Sequence, residues 1–251
     1  MPFNHISVVV PCYKESEVIA TNIQTLYEYL KERFEQYEII IVTDGSPDNT
    51  RENVERYGNE HPEVPLILIP FAKNQGKGAA VKAGVLASKY DLVLFIDADL
   101  TIPIHELEKF ISAIKSADIA IASRLVSGSS FEEKSPWHRA ILARGFHLFQ
   151  ILVLGNFEFS DTQCGFKLFR RQIAFKLFNK ITIKRFAFDA ELLFLARKYN
   201  AKVAILPVHI KKDPRNTNVD VFRDPVNMIF ALLKIRLNDW MGRYKEKEFV
   251  K

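Results

Sequence analysis

DLVLFIDADLTIP, Asp91 to Pro103, is the stretch on which the reading of this chain turns. Leu92 to Ile96 is an unbroken apolar run, the pattern of a strand buried on both faces. It stops abruptly at Asp97-Ala98-Asp99. Along an extended chain residues i and i+2 point the same way, so both carboxylates face one side of the strand tip. Two like charges that close are costly unless a cation sits between them. Hard divalent cations such as Mg²⁺ or Mn²⁺ take oxygen ligands of this kind, and they bring a diphosphate with them.

Outward from this strand the first half alternates strands with helices. Ile6 to Val10, Glu38 to Val42 and Leu66 to Ile69 read as strands; Ser16 to Phe34, Thr50 to Asn59 and Ala79 to Ser88 read as helices. Such alternation predicts an α/β fold, a mostly parallel Rossmann-like sheet flanked by helices on both faces. Ligands then bind beyond the carboxyl ends of the strands. Each unusual loop follows a strand: Pro11 to Glu15, Asp44 to Asp48, Asn74 to Gly78 and Asp97 to Asp99. They converge on one sheet edge and therefore on one site.

The second half is less regular. Ile119 to Ser123 reads as a strand ending near Arg124, Ser127 to Trp137 as a polar loop, and His138 to Leu154 as a helix with a broad apolar surface. Asp161 to Phe169 is strand-like, Phe188 to Tyr199 helical, Lys202 to Leu206 a strand, and Pro225 to Met241 a last amphipathic helix.

The chain has 251 residues and a formal charge of +5, enough length for one large domain with a substantial core. The basic excess lies in Lys202 to Lys251, which carries eleven Lys and Arg against six Asp and Glu. A basic, partly apolar tail on a neutral body points to an anionic partner. Its aromatics match no nucleic-acid motif, so no nucleic acid is expected and a membrane surface or lipid phosphate comes first. On one helical face lie Val226, Ile229, Phe230, Leu233 and Leu237, beside Lys234 and Arg236. That stripe either packs on its own domain or lies among lipid headgroups. No stretch reaches the roughly 18 uncharged apolar residues a span needs. With no leader-like segment at the start, the expected location is the cytoplasm or the cytoplasmic face of a membrane. Cys12 and Cys164 are far apart and without metal-ligand spacing, so neither a disulfide nor a zinc site is expected.

A nucleotide-sugar site needs contacts for base, ribose and diphosphate. Pro11-Cys12-Tyr13-Lys14-Glu15 offers an aromatic ring and a carboxylate suited to a nucleoside, and Asp44 an acceptor for a uracil N–H or a ribose hydroxyl. Gly76-Lys77-Gly78 supplies backbone and a cation at a helix N-terminus, where anions are favoured. It is not a P-loop, because no Ser or Thr follows Lys77. No G-x-G-x-x-G follows the first strand, which excludes a dinucleotide-binding fingerprint.

In the order VVVPCYKE (8–15), VTDGSPDNT (42–50), NQGKGAAVKAG (74–84) and LFIDADLTIP (94–103), the chain resembles the family 2 glycosyltransferases, which have the GT-A fold. DTQCGFKLFRR (161–171) and RFAFDAELLFLARK (185–198) are similar to the polyprenyl-phosphate branch of that family, in particular the dolichyl-phosphate β-glucosyltransferases. The resemblance implies a catalytic domain over 1–220 and an amphipathic, basic C-terminal helix over 221–251. It implies roles for Pro11, Tyr13, Glu15 and Asp44 in nucleotide binding, where the residues themselves already point to Gly76 and Lys77, and for Asp97 and Asp99 in holding Mg²⁺ or Mn²⁺ and the diphosphate. Asp97 would also lie near the ribose or donor sugar. Arg124 and Arg139 match arginines implicated in holding acceptor phosphate; Arg215, in a Pro- and Asn-rich loop, is a third candidate. Asp189 stands where relatives place a general base, and its alternative is a structural carboxylate on a helix surface.

The implied reaction is inverting transfer of a sugar, glucose first, from a UDP-sugar to a polyprenyl (dolichyl) phosphate. A GDP-mannose-using synthase, a transferase to a soluble hydroxyl, and a nucleotide-sugar-binding protein without catalysis are the alternatives. No Q-x-x-R-W sequence is present, which argues against a processive polysaccharide synthase.

Overall fold

A computed structural model describes residues 3–132, 145, 148–155, 158–212 and 223–245, the side chains of 223–226 excepted. Its central sheet has seven strands in the order β3-β2-β1-β4-β7-β5-β8. These are β1 (His5–Cys12), β2 (Gln36–Asp44), β3 (Leu66–Phe71), β4 (Leu92–Ile96), β5 (Ile119–Ser123), β7 (Phe166–Arg170) and β8 (Val203–Pro207). β1 pairs in parallel with β2 and β4, β2 with β3, and β5 with β8. The exception is β7, which runs antiparallel to both β4 and β5. Two short strands, β6 (Ser130–Phe131) and β9 (His209–Ile210), pair beside the main sheet.

Every residue of β4 is buried, as the unbroken apolar run requires of a strand covered on both faces. Leu92, Leu94 and Ile96 join one core, beneath α1 (Ile19–Arg33), α2 (Thr50–Glu60) and α4 (Leu107–Ala113). Val93 and Phe95 join the other, beneath α3 (Lys77–Ala87), α5 (Arg171–Lys180), α6 (Phe188–Lys198) and α7 (Arg223–Trp240). The mostly parallel, two-faced α/β architecture is as expected.

One local reading changes and two helices are added. The strand expected over 161–169 begins only at Phe166, and 161–165 is a loop in which Asp161 accepts from the N–H groups of Arg124 and Gln163 and the Gly165 carbonyl accepts from the N–H of Asp97. α4 and α5 had no sequence expectation. Of the helix expected over 138–154, residues 148–154 are helical and most of the rest lies outside the described residues.

The C-terminal segment presents two apolar faces. Leu232 and Ile235 are fully buried in the second core, and so is Tyr244 in the turn after α7. The Tyr244 hydroxyl donates to the buried Glu191 carboxylate of α6. The face read from sequence as one stripe points the other way: Ile229, Phe230, Leu233 and Leu237 are exposed, as are Trp240 and Met241 beyond it.

Candidate active site

The carboxyl ends of β1, β2 and β4 open into a cleft of about 1510 Å³. A drug-sized ligand pocket is roughly 300–1,000 Å³, so this one has room for two substrates. Its walls include Pro11 to Glu17, Asp44, Asn74 to Lys77, Asp97 to Asp99, residues 182–187, and Asn227, Phe230 and Lys234 of α7. All eight residues assigned to nucleotide, metal and diphosphate binding therefore share one cavity. The convergence inferred from strand-end loops is what the sheet produces.

At its centre is the tip of β4. The backbone N–H of Asp97 donates to the Gly165 carbonyl (3.0 Å), extending the β4–β7 ladder by one step. The Lys77 ammonium lies 2.6 Å from Asp97 Oδ1. Burial opposes the charged form of Lys77, but Asp97, Asp189 and Asp99 outweigh it and raise its pKa. Asp99 Oδ1 accepts from the Thr101 N–H and hydroxyl, both at 2.9 Å. Burial first, and the neighbouring Asp97 second, push the Asp99 carboxyl up. Two carboxylates crowded in this way attract positive charge, and Lys77 already supplies part of it.

Backbone strain gathers here too. Lys14 and Leu100 hold φ of +60° and +48°, one in the loop after β1 and the other directly after Asp99. Left-handed geometry at such residues costs about 1 kcal/mol or more and persists only where surroundings impose it. For Lys14 those surroundings are the Ser46 and Thr50 hydroxyls, which accept from the N–H groups of Lys14 (3.2 Å) and Glu15 (2.8 Å).

Asp44 has a job that its sequence did not announce. Its oxygens accept the backbone N–H groups of Gln75 (2.7 Å) and Gly76 (2.8 Å), fixing the loop that starts α3. Gly76, at φ +103°, leaves no room for a Cβ, which would meet the Lys184 carbonyl at 2.5 Å and Arg185 Cγ at 2.8 Å. The loop before α3 and the loop before α6 are thus in contact.

Asp189 is a correction. It is buried, not on a helix surface, and its Oδ1 lies 2.6 Å from the ammonium of Lys167. Lys167 is fully buried on β7, opposite Phe95, and also donates to the Cys164 carbonyl at 2.7 Å. Burial raises the Asp189 pKa, opposed by Lys167 and Lys77. Lys167 was not a sequence candidate: a lone lysine in a strand reads as solvent-facing, and its partner lies 22 residues away.

Arg124 is held by a carboxylate. Its guanidinium makes a fork to Asp161, Nε to Oδ2 at 2.7 Å and Nη2 to Oδ1 at 2.9 Å, and its own N–H donates to the same carboxylate at 2.9 Å. Burial opposes the ionised Asp161, but the Arg124 guanidinium prevails and lowers its pKa. Arg124 is not among the residues lining the cleft. Arg139 and Arg215 lie outside the described residues.

The donor set at the β4 tip is oxygen only, two carboxylates with no sulfur or imidazole, which fits a hard divalent cation completing its shell with diphosphate oxygens and water. Among the described residues no group of three or more His, Cys, Asp or Glu gathers elsewhere as a metal site. Both cysteines are free and buried; burial drives the Cys164 thiol up to about 12 and keeps Cys12 protonated as well.

A parallel sheet broken by one antiparallel strand, with a pair of acids at the end of its middle strand, defines a GT-A glycosyltransferase. Among solved structures of that fold, glucosyl-3-phosphoglycerate synthase from Mycobacterium tuberculosis, in complex with Mn²⁺, UDP-glucose and phosphoglyceric acid, superposes at a TM-score of 0.66. It is 17% identical, over 93% of this chain and 79% of that one. The description Glycosyl transferase family 2 matches residues 7–178, and the chain belongs to that family. It is 40% identical over 216 residues to a dolichyl-phosphate β-glucosyltransferase of Trichomonas vaginalis, covering 81% of this chain but only 63% of that protein. To the Dictyostelium discoideum protein of the same name it is 34% identical over 256 residues, 97% of this chain and 77% of the other.

Proposed function

We propose that this chain transfers glucose, with inversion, from UDP-glucose to a polyprenyl (dolichyl) phosphate, using Mg²⁺ or Mn²⁺. The observation that carries the reading is the paired acid tip of β4, with Lys77 against it, at the floor of a two-substrate cleft. The similarity to dolichyl-phosphate β-glucosyltransferases over nearly the whole chain supports the choice of sugar and acceptor.

Asp97 and Asp99 would hold the metal, which when bound offsets the charge that develops on the departing diphosphate. Tyr13, Glu15 and the loop that Asp44 anchors flank the nucleoside end of the cleft. Lys77 is placed to share the diphosphate charge at the N-terminus of α3. A phosphomonoester has a second pKa near 6 and is already a dianion at neutral pH. Its oxygen needs no strong base, which accords with an Asp189 carboxylate paired with Lys167.

An amphiphilic acceptor brings the protein to a surface. No helix among the described residues is long and apolar enough to cross a membrane. Phe230 and Trp240 of α7 are 66% and 77% exposed, and Leu148 and Leu152 of the neighbouring helical segment are exposed as well. Arg236 ties the two segments by donating to the Val153 carbonyl at 2.7 Å. This face is proposed to lie on the cytoplasmic side of a membrane.

The test is incubation with UDP- and GDP-sugars, a short polyprenyl phosphate and Mg²⁺ or Mn²⁺, read by product mass. A hexosyl phosphoprenol from UDP-glucose alone, lost with a chelator, is expected. Preference for GDP-mannose, or equal use of an unphosphorylated prenol, would overturn the proposal.

A further inference from the structure

The two acids at the tip of β4 do not present their oxygens alike. Asp97 Oδ2 is the oxygen pressed against Gly165, where a Cβ would come within 1.9 Å of it. Asp97 Oδ1 is met by the Lys77 ammonium at 2.6 Å. Among the described residues no well-aligned hydrogen bond reaches that oxygen, so charge rather than a directed bond holds the lysine there. Asp99 commits its Oδ1 to the N–H and hydroxyl of Thr101. A cation that needs both acids must therefore share or take the very oxygen that Lys77 covers, and two positive charges on one oxygen repel.

The acids are fixed and the lysine is not. Asn22 of α1 donates to the Ala98 carbonyl at 2.7 Å, and the Leu100 N–H donates to the Asp97 carbonyl at 3.2 Å, closing a turn around the pair. Lys77 begins α3, behind the loop that Asp44 holds through Gln75 and Gly76. Its backbone is thus set, while its ammonium swings on a flexible four-carbon stem. Asp189 and Asp99 attract the same ammonium, which keeps it charged at the tip. A divalent cation arriving alone would have to push Lys77 off Asp97 with no new anion to receive it. One arriving with a diphosphate brings the receiver, because phosphate oxygens accept well from an ammonium at a helix N-terminus.

We infer that Lys77 is a tethered stand-in for the divalent cation: it covers Asp97 Oδ1 until nucleotide arrives, then passes to the diphosphate and frees that oxygen for the metal. The inference rests on the proposed function and adds the residue that couples metal binding to donor binding.

The test measures Mn²⁺ binding by electron paramagnetic resonance and UDP binding by calorimetry, each with and without the other. It compares the unaltered protein with Lys77→Met, Lys184→Met and Lys77→Met/Asp99→Asn. Lys184 lines the same cleft, so its variant removes one positive charge and leaves the Asp97 pair intact. A contact to a charged group shifts an equilibrium by about 10- to 100-fold. Lys77→Met should therefore bind Mn²⁺ alone at least about 10-fold more tightly than the unaltered protein, with Lys184→Met within about twofold of it. Adding Asp99→Asn should abolish the gain, which places the ion at the β4 tip. The factor by which UDP tightens Mn²⁺ equals that by which Mn²⁺ tightens UDP, and it should fall about 10-fold or more in Lys77→Met. Should the methionine variant not melt cooperatively, Lys77→Gln is read in its place. An unchanged Mn²⁺ affinity, a gain matched by Lys184→Met, a gain that survives Asp99→Asn, or an unaltered coupling factor would each overturn the inference. Failure of the unaltered protein to bind UDP with either Mn²⁺ or Mg²⁺ would instead strike the proposed function itself.

Discussion

Gly165→Ala should disable the site through a single methyl group placed against Asp97. A Cβ at Gly165 would overlap Oδ2 and Cγ of Asp97 outright, and even the farther oxygen, Oδ1, would lie at 2.6 Å. Ordinary contact begins near 3.4 Å, so the carboxylate must retreat by at least about 0.8 Å, and further at Oδ2. Moving the backbone instead is difficult, since Asp97 N–H is bonded to the Gly165 carbonyl and Ile96 faces Phe166 in the ladder below. Rotation of Asp97 is the cheaper response, and it carries the carboxylate out of line with Asp99.

Misplacement of a catalytic group by about 1 Å costs on the order of 10²-fold in rate, and overpacking costs about 1–3 kcal/mol in stability. Transfer should therefore fall roughly 100-fold, with a melting transition that remains cooperative and only modestly lowered. The second arm uses Asp97→Ala, where the clashing group is gone. In that background Gly165→Ala should cost little further stability, because the two substitutions share one contact. Full transfer by Gly165→Ala, or an equal stability loss with and without the Asp97 carboxylate, would refute the reasoning.

Lys167→Met leaves Asp189 buried without its partner and should cost about 3–5 kcal/mol in urea unfolding, whereas Lys167→Met/Asp189→Leu should recover most of it; a single variant as costly as the double would contradict this. Tyr244→Ala removes a fully buried ring and the hydroxyl held by Glu191, with an expected loss of about 3–5 kcal/mol in the same assay. Because Arg124 depresses the Asp161 pKa, that carboxylate stabilises the fold above the ordinary range near pH 4 and loses this effect as pH falls through its lower folded value. Asp161→Asn should then be clearly less stable than the unaltered protein at pH 7, with the gap closing below about pH 4 in thermal melts.

What the sequence revealed and what it hid follow from the range of the interactions. β4 was legible because a strand buried on both faces must be apolar throughout, and Asp97 and Asp99 because they break that rule together. The loops after β1, β2 and β3 were legible because parallel strands put all such loops at one edge. The pairing of Arg124 with Asp161, 37 residues apart, was not, since nothing local distinguishes a strand-end arginine that meets a carboxylate from one that meets water. Lys167 was hidden for the same reason: its β7 is inserted antiparallel between β4 and β5, and strand order of that kind leaves no mark on periodicity. The apolar stripe of α7 was visible, but a helix with Leu232 and Ile235 on one side and Leu233 and Leu237 on the other does not declare which side the core takes. Packing on α6 decides it.

The two halves of the cleft also differ in how they are held. At the donor end the acids sit on a fully buried strand, bracketed by β1 and β7, with Gly165 and Lys77 against Asp97. Small displacements there are resisted by the sheet itself. On the α7 side, Lys184, Arg185 and Lys234 reach in from a loop and a helix face, and their positions depend on Glu191, Thr182 and Asn238. Glu191 stands at the junction, because it holds the loop and also accepts from Tyr244 beyond α7. Loosening that node should move the three cations while leaving the β4 tip in place. Glu191→Gln, which keeps size but weakens every hydrogen bond the carboxylate accepts, is therefore expected to raise the KM of whichever substrate meets that wall several-fold while the Mn²⁺ concentration needed for half-maximal rate stays within about twofold. A parallel rise in the Mn²⁺ requirement would mean that the two halves of the cleft are mechanically one.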